Sequence, residues 1–338
     1  MSRRIVLALS VVLIVTLSLL IITACMGESG RVSVTDNGYE ASTIRLQYGT
    51  AYMSAVPQLL MLTEILEEML PDDVSVEFIN IQASPDARDA LVSNNLDIAL
   101  LPMPTFIAAI ENDLPLVMLS TTVVQSCIVF GVEPNIRSMD DLNAQSKIAL
   151  ISKGGAFHLA LMLETLFRYG DAERFENNII PMQSVDQLAS VQSSFNELDA
   201  ITIGFPLIAT ASDIDTLNVI ADLTPVMVDN DLSSFMVTSN TFSERNPFLV
   251  QIINEAIREI KTLMIEKPAE AAMILSDYYD NVSVEDVEIQ IRSAPPRYEI
   301  SESAYNRVAE LMYEVGIIPN PPKPFSSLPN YDSIPKVP

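Results

Sequence analysis

Histidine appears once in 338 residues, cysteine twice and tryptophan not at all. With His158 alone, zinc sites and Ser-His or Cys-His catalysis lack raw material, and no Cys or His cluster has metal-ligand spacing. The two cysteines sit in unlike surroundings, Cys25 after a long apolar run and Cys127 inside SCIVFG. A structural disulfide is therefore not expected. Basic residues are also scarce: 19 Lys and Arg against 44 Asp and Glu give a formal charge of −25. Such a surface repels nucleic acid and anionic lipid, which excludes both as partners.

Apolar residues make up 49% of the chain, enough for the cores of two ordinary lobes. Some of that material is a leader. Arg3 and Arg4 precede the run Ile5 to Ile22, in which only Ser10, Thr16 and Ser18 are polar, the pattern of an export signal. Ile22-Thr23-Ala24-Cys25 follows and resembles the lipobox of bacterial lipoproteins, which implies a diacylglycerol on Cys25 and an anchor in the bilayer. An uncleaved membrane anchor is the alternative, and either places the body of the chain outside the plasma membrane. The composition of 25–42 is that of a tether.

From Thr43 onward, strand and helix patterns alternate. The clearest stretch is Lys147 to Gly170: an apolar strand, the turn Gly154-Gly155, and a helix from Phe157 to Tyr169 stopped by Gly170. That turn sits on a helix N-terminus, where unpaired N–H groups favour an anionic or strongly accepting group. The order of elements also recurs. Leu96-Asp97 through Pro104 is echoed by Leu198-Asp199 through Pro206, Gln82 and Ser84 by Gln183 and Ser184, and the strand from Ile44 by the strand from Ile148. Two similar βαβαβ units in tandem are expected.

Between them, Leu116 to Val132 reads as a crossing between lobes, and Ser234 to Thr238 as the return. Capping boxes are expected at Ser138 with Asp141 and at Ser184 with Gln187. Pro247 opens a long amphipathic helix broken at Lys267-Pro268, and three shorter helices end at Gly316. The tail holds seven of the chain's prolines after Ile318, which predicts an extended strap or a mobile end.

The lipobox, IRLQYGT, the pair LDIALLPMP and LDAITIGFP, SKGGAFH and the late NPFLVQIINEAIREIKTLMIEKPAEAAMIL together resemble the substrate-binding proteins of ABC importers. The group concerned serves nitrate, taurine, alkanesulfonates and thiamine-pyrimidine precursors. The resemblance runs from Thr43 to Leu275. It implies an α/β, two-lobed periplasmic-binding-protein-like fold of type II: leader 1–24, tether 25–42, first lobe 43–126 and 240–318, second lobe 127–239, tail 319–338. Two crossing strands join the lobes.

It further implies a monomeric receptor, tethered outside the cell through Cys25, that passes a small-molecule ligand to an ABC permease, with no cofactor, no metal and no catalytic residue. Ligand contacts carry over to Ala51, Tyr52, Met53 and Ser54 in the first loop and to Gln82 and Ser84 in the second. In the third they carry over to Pro102, Met103 and Thr105. Gln125 and Ser126 follow at the crossing, then Gly154, Gly155, Ala156 and His158 at the glycine turn, and Phe205 and Pro206 after Gly204. Each loop lies where a strand ends, which is where open parallel sheets bind ligands.

The chain departs from the family where sulfonate and nitrate binders place hydroxyls, since Gly155 and Ala156 stand there. Gly204 and Phe205 replace a Trp and an acidic residue. Lys153 or a protonated His158 would assist an anion, while Tyr52, Met53, Met103, Phe157 and Phe205 suit a larger aromatic pocket. The alternative is an enzyme on the same fold, resembling thiamine-pyrimidine synthase or chorismate dehydratase, with Tyr52, Ser84, Lys153 and His158 as scattered candidates.

Overall fold

The computed structural model describes residues 38–48, 64–81, 83–193, 197–277, 279, 282–293, 296, 299–333 and 336–337. The expected contacts at Ala51, Tyr52, Met53, Ser54 and Gln82, and the anchor at Cys25, lie outside the described residues.

Two five-stranded mixed sheets organise the chain. The first takes β1 (Thr43–Tyr48), β2 (Ser75–Asn80), β3 (Ile98–Pro102) and β4 (Leu116–Val124). The second takes β5 (Cys127–Gly131), β6 (Ile148–Leu150), β7 (Ile179–Pro181), β8 (Ala200–Gly204) and β9 (Asn218–Asp222). The chain then returns to the first sheet as β10 (Ser233–Ser239), giving the orders β2-β1-β3-β10-β4 and β7-β6-β8-β5-β9. β10 runs antiparallel between β3 and β4, and β5 does the same between β8 and β9.

The sheets are therefore built alike, and the repeated Leu-Asp pair has the same use in each. The Asp97 carboxylate accepts from the backbone N–H of Arg45 at 2.8 Å, and that of Asp199 from the N–H of Lys147 at 2.8 Å. Each holds the start of its unit's first strand against the third.

β3 shows how one strand serves two cores. Ile98 and Leu100 face the helices Pro247–Glu266, Pro268–Ser276 and Val284–Ser293, while Ala99 and Leu101 face Ser84–Val92, Met103–Glu111 and Glu302–Glu314. A strand buried on both faces has no polar alternation, hence the continuous IALLP. The second of these apolar clusters extends into the other lobe, where it takes in Ile148, Leu150 and the helix Ala156–Tyr169. The lobes touch.

Two expectations are revised, and of the tail's two expected forms the strap is found. β10, read as the return crossing, is a strand of the first sheet, so the crossing falls just before it at 230–232. Its residues are all buried, because a returning strand with neighbours on both edges is interior. At the second unit the helix cap is Gln183, with no side-chain cap bond. Gln187 is drawn inward instead, where it donates to the carbonyl of Met182 and accepts from the N–H of Thr202. The tail is a packed strap: Phe325 is fully buried beside Tyr305 and Tyr331, and Lys336–Val337 pairs in parallel with Ile300–Ser301.

Candidate ligand cleft

Gln125 and Ser126 alone separate β4 from β5, so the strand ends of both sheets are brought face to face. A cavity of about 30 Å³ lies there, lined by Ser84, Pro102, Gln125 and Ser234 from the first lobe and by Ile151, Ser152, Gly155, Ala156 and Phe157 from the second. Met227 of the short helix Thr224–Asp229 and Leu232 of the return crossing complete it. Three helices begin on its wall. Ser84 is the first residue of its helix, Pro102 precedes Met103–Glu111, and Gly155 precedes Ala156–Tyr169. Helix starts carry partial positive charge and unpaired N–H groups. With three serine hydroxyls and an amide, the wall supplies neutral donors opposite an apolar side, and none of the described lining residues is charged.

The glycine turn is held from behind. Gly154 has φ +74°, a conformation glycine adopts without strain, and its N–H donates to Nδ1 of His158 at 3.0 Å. Nε2 of His158 lies 2.7 Å from the Glu176 carboxylate, whose other oxygen accepts from Lys153 Nζ at 2.8 Å. Lys153 and His158, the side chains expected to assist an anion, are thus both directed at Glu176. Burial pulls the His158 imidazole below its ordinary pKa despite the pull of Glu176 in the other direction. For Glu176, burial acts upward, but the hydrogen bonds from Lys153 and His158 bring it below the ordinary carboxylate value.

Of the expected contacts, Ser84, Pro102, Gln125, Gly155, Ala156 and Phe157 meet at the cavity. Met103 and Thr105 are buried in the helix that starts there. Ser126 Oγ lies 2.7 Å from Gln290 Oε1, which ties the crossing to the helix Val284–Ser293. Gly154 forms the turn, and His158 stands behind it. Phe205, joined to Pro206 by a cis peptide bond, packs edge-on against Tyr279 of the first lobe with ring centroids 5.4 Å apart. Gly204 before it admits the Phe157 ring, since a Cβ would lie 2.6 Å from the ring.

Ile151, Ser152, Met227, Leu232 and Ser234 were not anticipated. The first two adjoin the glycine turn and were within reach of the sequence pattern. Met227 and Leu232 were not, because the short helix Thr224–Asp229 has no marked periodicity. Among the described residues, no group of three or more His, Cys, Asp or Glu is placed to hold a metal ion.

A profile for proteins described as NMT1/THI5 like matches residues 72–271. No curated protein sequence matches the chain. Among solved structures, the alkanesulfonate-binding protein SsuA from Xanthomonas axonopodis pv. citri, bound to MOPS, superposes with a TM-score of 0.64 at 18% identity, over 84% of this chain and 96% of that one. The periplasmic aliphatic sulphonate binding protein SsuA from Escherichia coli gives 0.61 at 18% identity, over 87% and 100%. A ligand-binding component of an ABC-type import system from Staphylococcus aureus, with zinc bound, gives 0.67 at 13%, over 87% and 99%. At these identities the likeness is one of fold, and the fold is that of periplasmic binding proteins.

Proposed function

The chain belongs to the NMT1/THI5-like family, and from that premise we propose that it is an extracytoplasmic solute-binding lipoprotein of an ABC importer. It captures a small anionic or aromatic organic molecule between its lobes, delivers it to the permease, and is held at the membrane by a lipid on Cys25. The observation that carries this reading is the cavity shared by both lobes, walled by three helix starts, hydroxyls and an apolar side. Neutral donors of this kind hold an oxyanion without a countercharge, as helix N-termini commonly do. Phe157, Ile151, Met227 and Leu232 then meet the ligand's carbon part. A volume of about 30 Å³ admits only water, so the lobes part to load and close to hold, a hinge motion. Sulfonates are the first compounds to try, given what the Xanthomonas and Escherichia proteins bind.

An enzyme on this fold would need a positioned acid or base. The described lining residues supply hydroxyls and an amide, and the nearest imidazole is engaged with Gly154 and Glu176.

Native mass spectrometry of protein purified without added ligand tests the proposal. A carried-over compound released intact on denaturation is the expected result. A compound converted on incubation would instead favour an enzyme. Intact-mass analysis of the same preparation should find a diacylglycerol on Cys25, absent from Cys25→Ala.

A further inference from the structure

The one histidine of the chain is buried and makes two hydrogen bonds of fixed direction. Gly154 can only donate through its N–H, so Nδ1 of His158 accepts and carries no proton. The ring proton of the neutral form is therefore on Nε2, donated to Glu176. Lys153 closes the circuit, because its ammonium reaches both the Glu176 carboxylate and the Glu176 backbone carbonyl at 2.7 Å. The turn 153–155 is thus pinned to the turn Glu176–Asn178 on one side, while Gly155 and Ala156 face the cavity on the other.

The geometry points to His158 as a positioning residue that locks the glycine turn against the cleft in its neutral form and releases it when protonated. A proton on Nδ1 sets a donor against the N–H of Gly154, so the bond is lost and the turn shifts. The charged groups that act on the imidazole are Glu176, which favours the protonated form, and Lys153, which opposes it. Burial opposes it more strongly, so the lock holds at neutral pH and yields in acid. This rests on the proposed function only in taking the turn as a wall of the solute site.

A single histidine makes the test direct, since the uniformly ¹⁵N-labelled full chain has one imidazole to observe. Long-range ¹H–¹⁵N correlation should find the Nε2–H tautomer, titrating below the ordinary histidine value. Hydrogen exchange of the amides in 153–156, corrected for intrinsic rates, should lose about tenfold in protection between pH 7.5 and 5. His158→Asn keeps an acceptor near the place of Nδ1 and does not titrate, so its protection should be retained at both pH values. His158→Leu should be unprotected at both. The Nδ1–H tautomer, wild-type protection that ignores pH, or an Asn variant that behaves like the Leu variant would each overturn the lock. None of these measurements needs a bound solute. Failure of the lock leaves the transport reading standing, and a cleft that binds nothing leaves the lock standing.

Discussion

Lys261 is the residue whose setting is least expected from its type. It lies in the inward stripe of the helix Pro247–Glu266, 5% exposed, with Nζ 2.5 Å from Ser120 Oγ and 3.0 Å from Thr121 Oγ1. Burial brings its pKa down to about 7. The folded protein therefore sheds a proton that the unfolded chain keeps up to about pH 10.5. Stability should rise with pH across that window and carry the full cost of a buried charge below it. Lys261→Met is expected to stabilise by about 1–3 kcal/mol at pH 6, the gain reduced by the two hydroxyls left behind. Thermal melts at pH 6 and pH 10 check this: a variant no more stable than wild type at pH 6 refutes the account. His158 and Glu176 act on the acid side, both with folded pKa values below the ordinary ones. Their contribution is complete above about pH 6.5 and fades as pH falls, His158 first and Glu176 below about 4.5. The sequence marked His158 as unusual by its solitude. It could not say that the imidazole faces a carboxylate eighteen residues on.

At the scale of elements, the alternation of strand and helix was legible because it depends on neighbours two to four positions apart. The stop at Gly170 was equally local. It adopts φ +71° and its N–H bonds to the carbonyl of Leu166, as a left-handed cap requires. The tail was legible only as a segment that cannot be helical. What holds it is an aromatic group of Tyr305, Phe325 and Tyr331, assisted by Lys323 on Asp113 and by Asn330 on the carbonyl of Met118. Phe325→Ala should cost about 3–5 kcal/mol, the usual penalty for emptying a buried aromatic site. Denaturant unfolding should display it as a lower midpoint at an unchanged slope. A loss under 1 kcal/mol would make the strap a passive covering.

For the whole molecule, the open question is how firmly the lobes are held together before a solute arrives. Phe205 of the second lobe against Tyr279 of the first and Arg307 donating to the carbonyl of Asp229 span the boundary, while Ser126 with Gln290 ties the crossing to the first lobe. An aromatic pair of this geometry is worth about 0.5–1.5 kcal/mol beyond its buried area. Phe205→Ala should therefore raise the open population severalfold. Small-angle scattering of the unliganded variant should give a larger radius of gyration than wild type, and an equal radius would remove Phe205 from the closing contacts. The resemblance carried this phenylalanine over as a ligand contact, at the end of the repeated Leu-Asp strand. Its partner, Tyr279, comes from the other lobe, and nothing local announces that meeting.

The sequence by itself determined the two α/β units, their repetition, the strand ends where loops gather, and the scarcity of histidine and cysteine. These follow from residue type and short spacing, which act before the chain is compact. Only the tertiary structure decided that Lys261 is buried, that Lys153 and His158 turn to Glu176, that β10 belongs to the first sheet and that Phe205 reaches across the boundary. Each depends on which surfaces remain to be covered once the sheets have formed, and that is settled by packing between segments up to 141 residues apart.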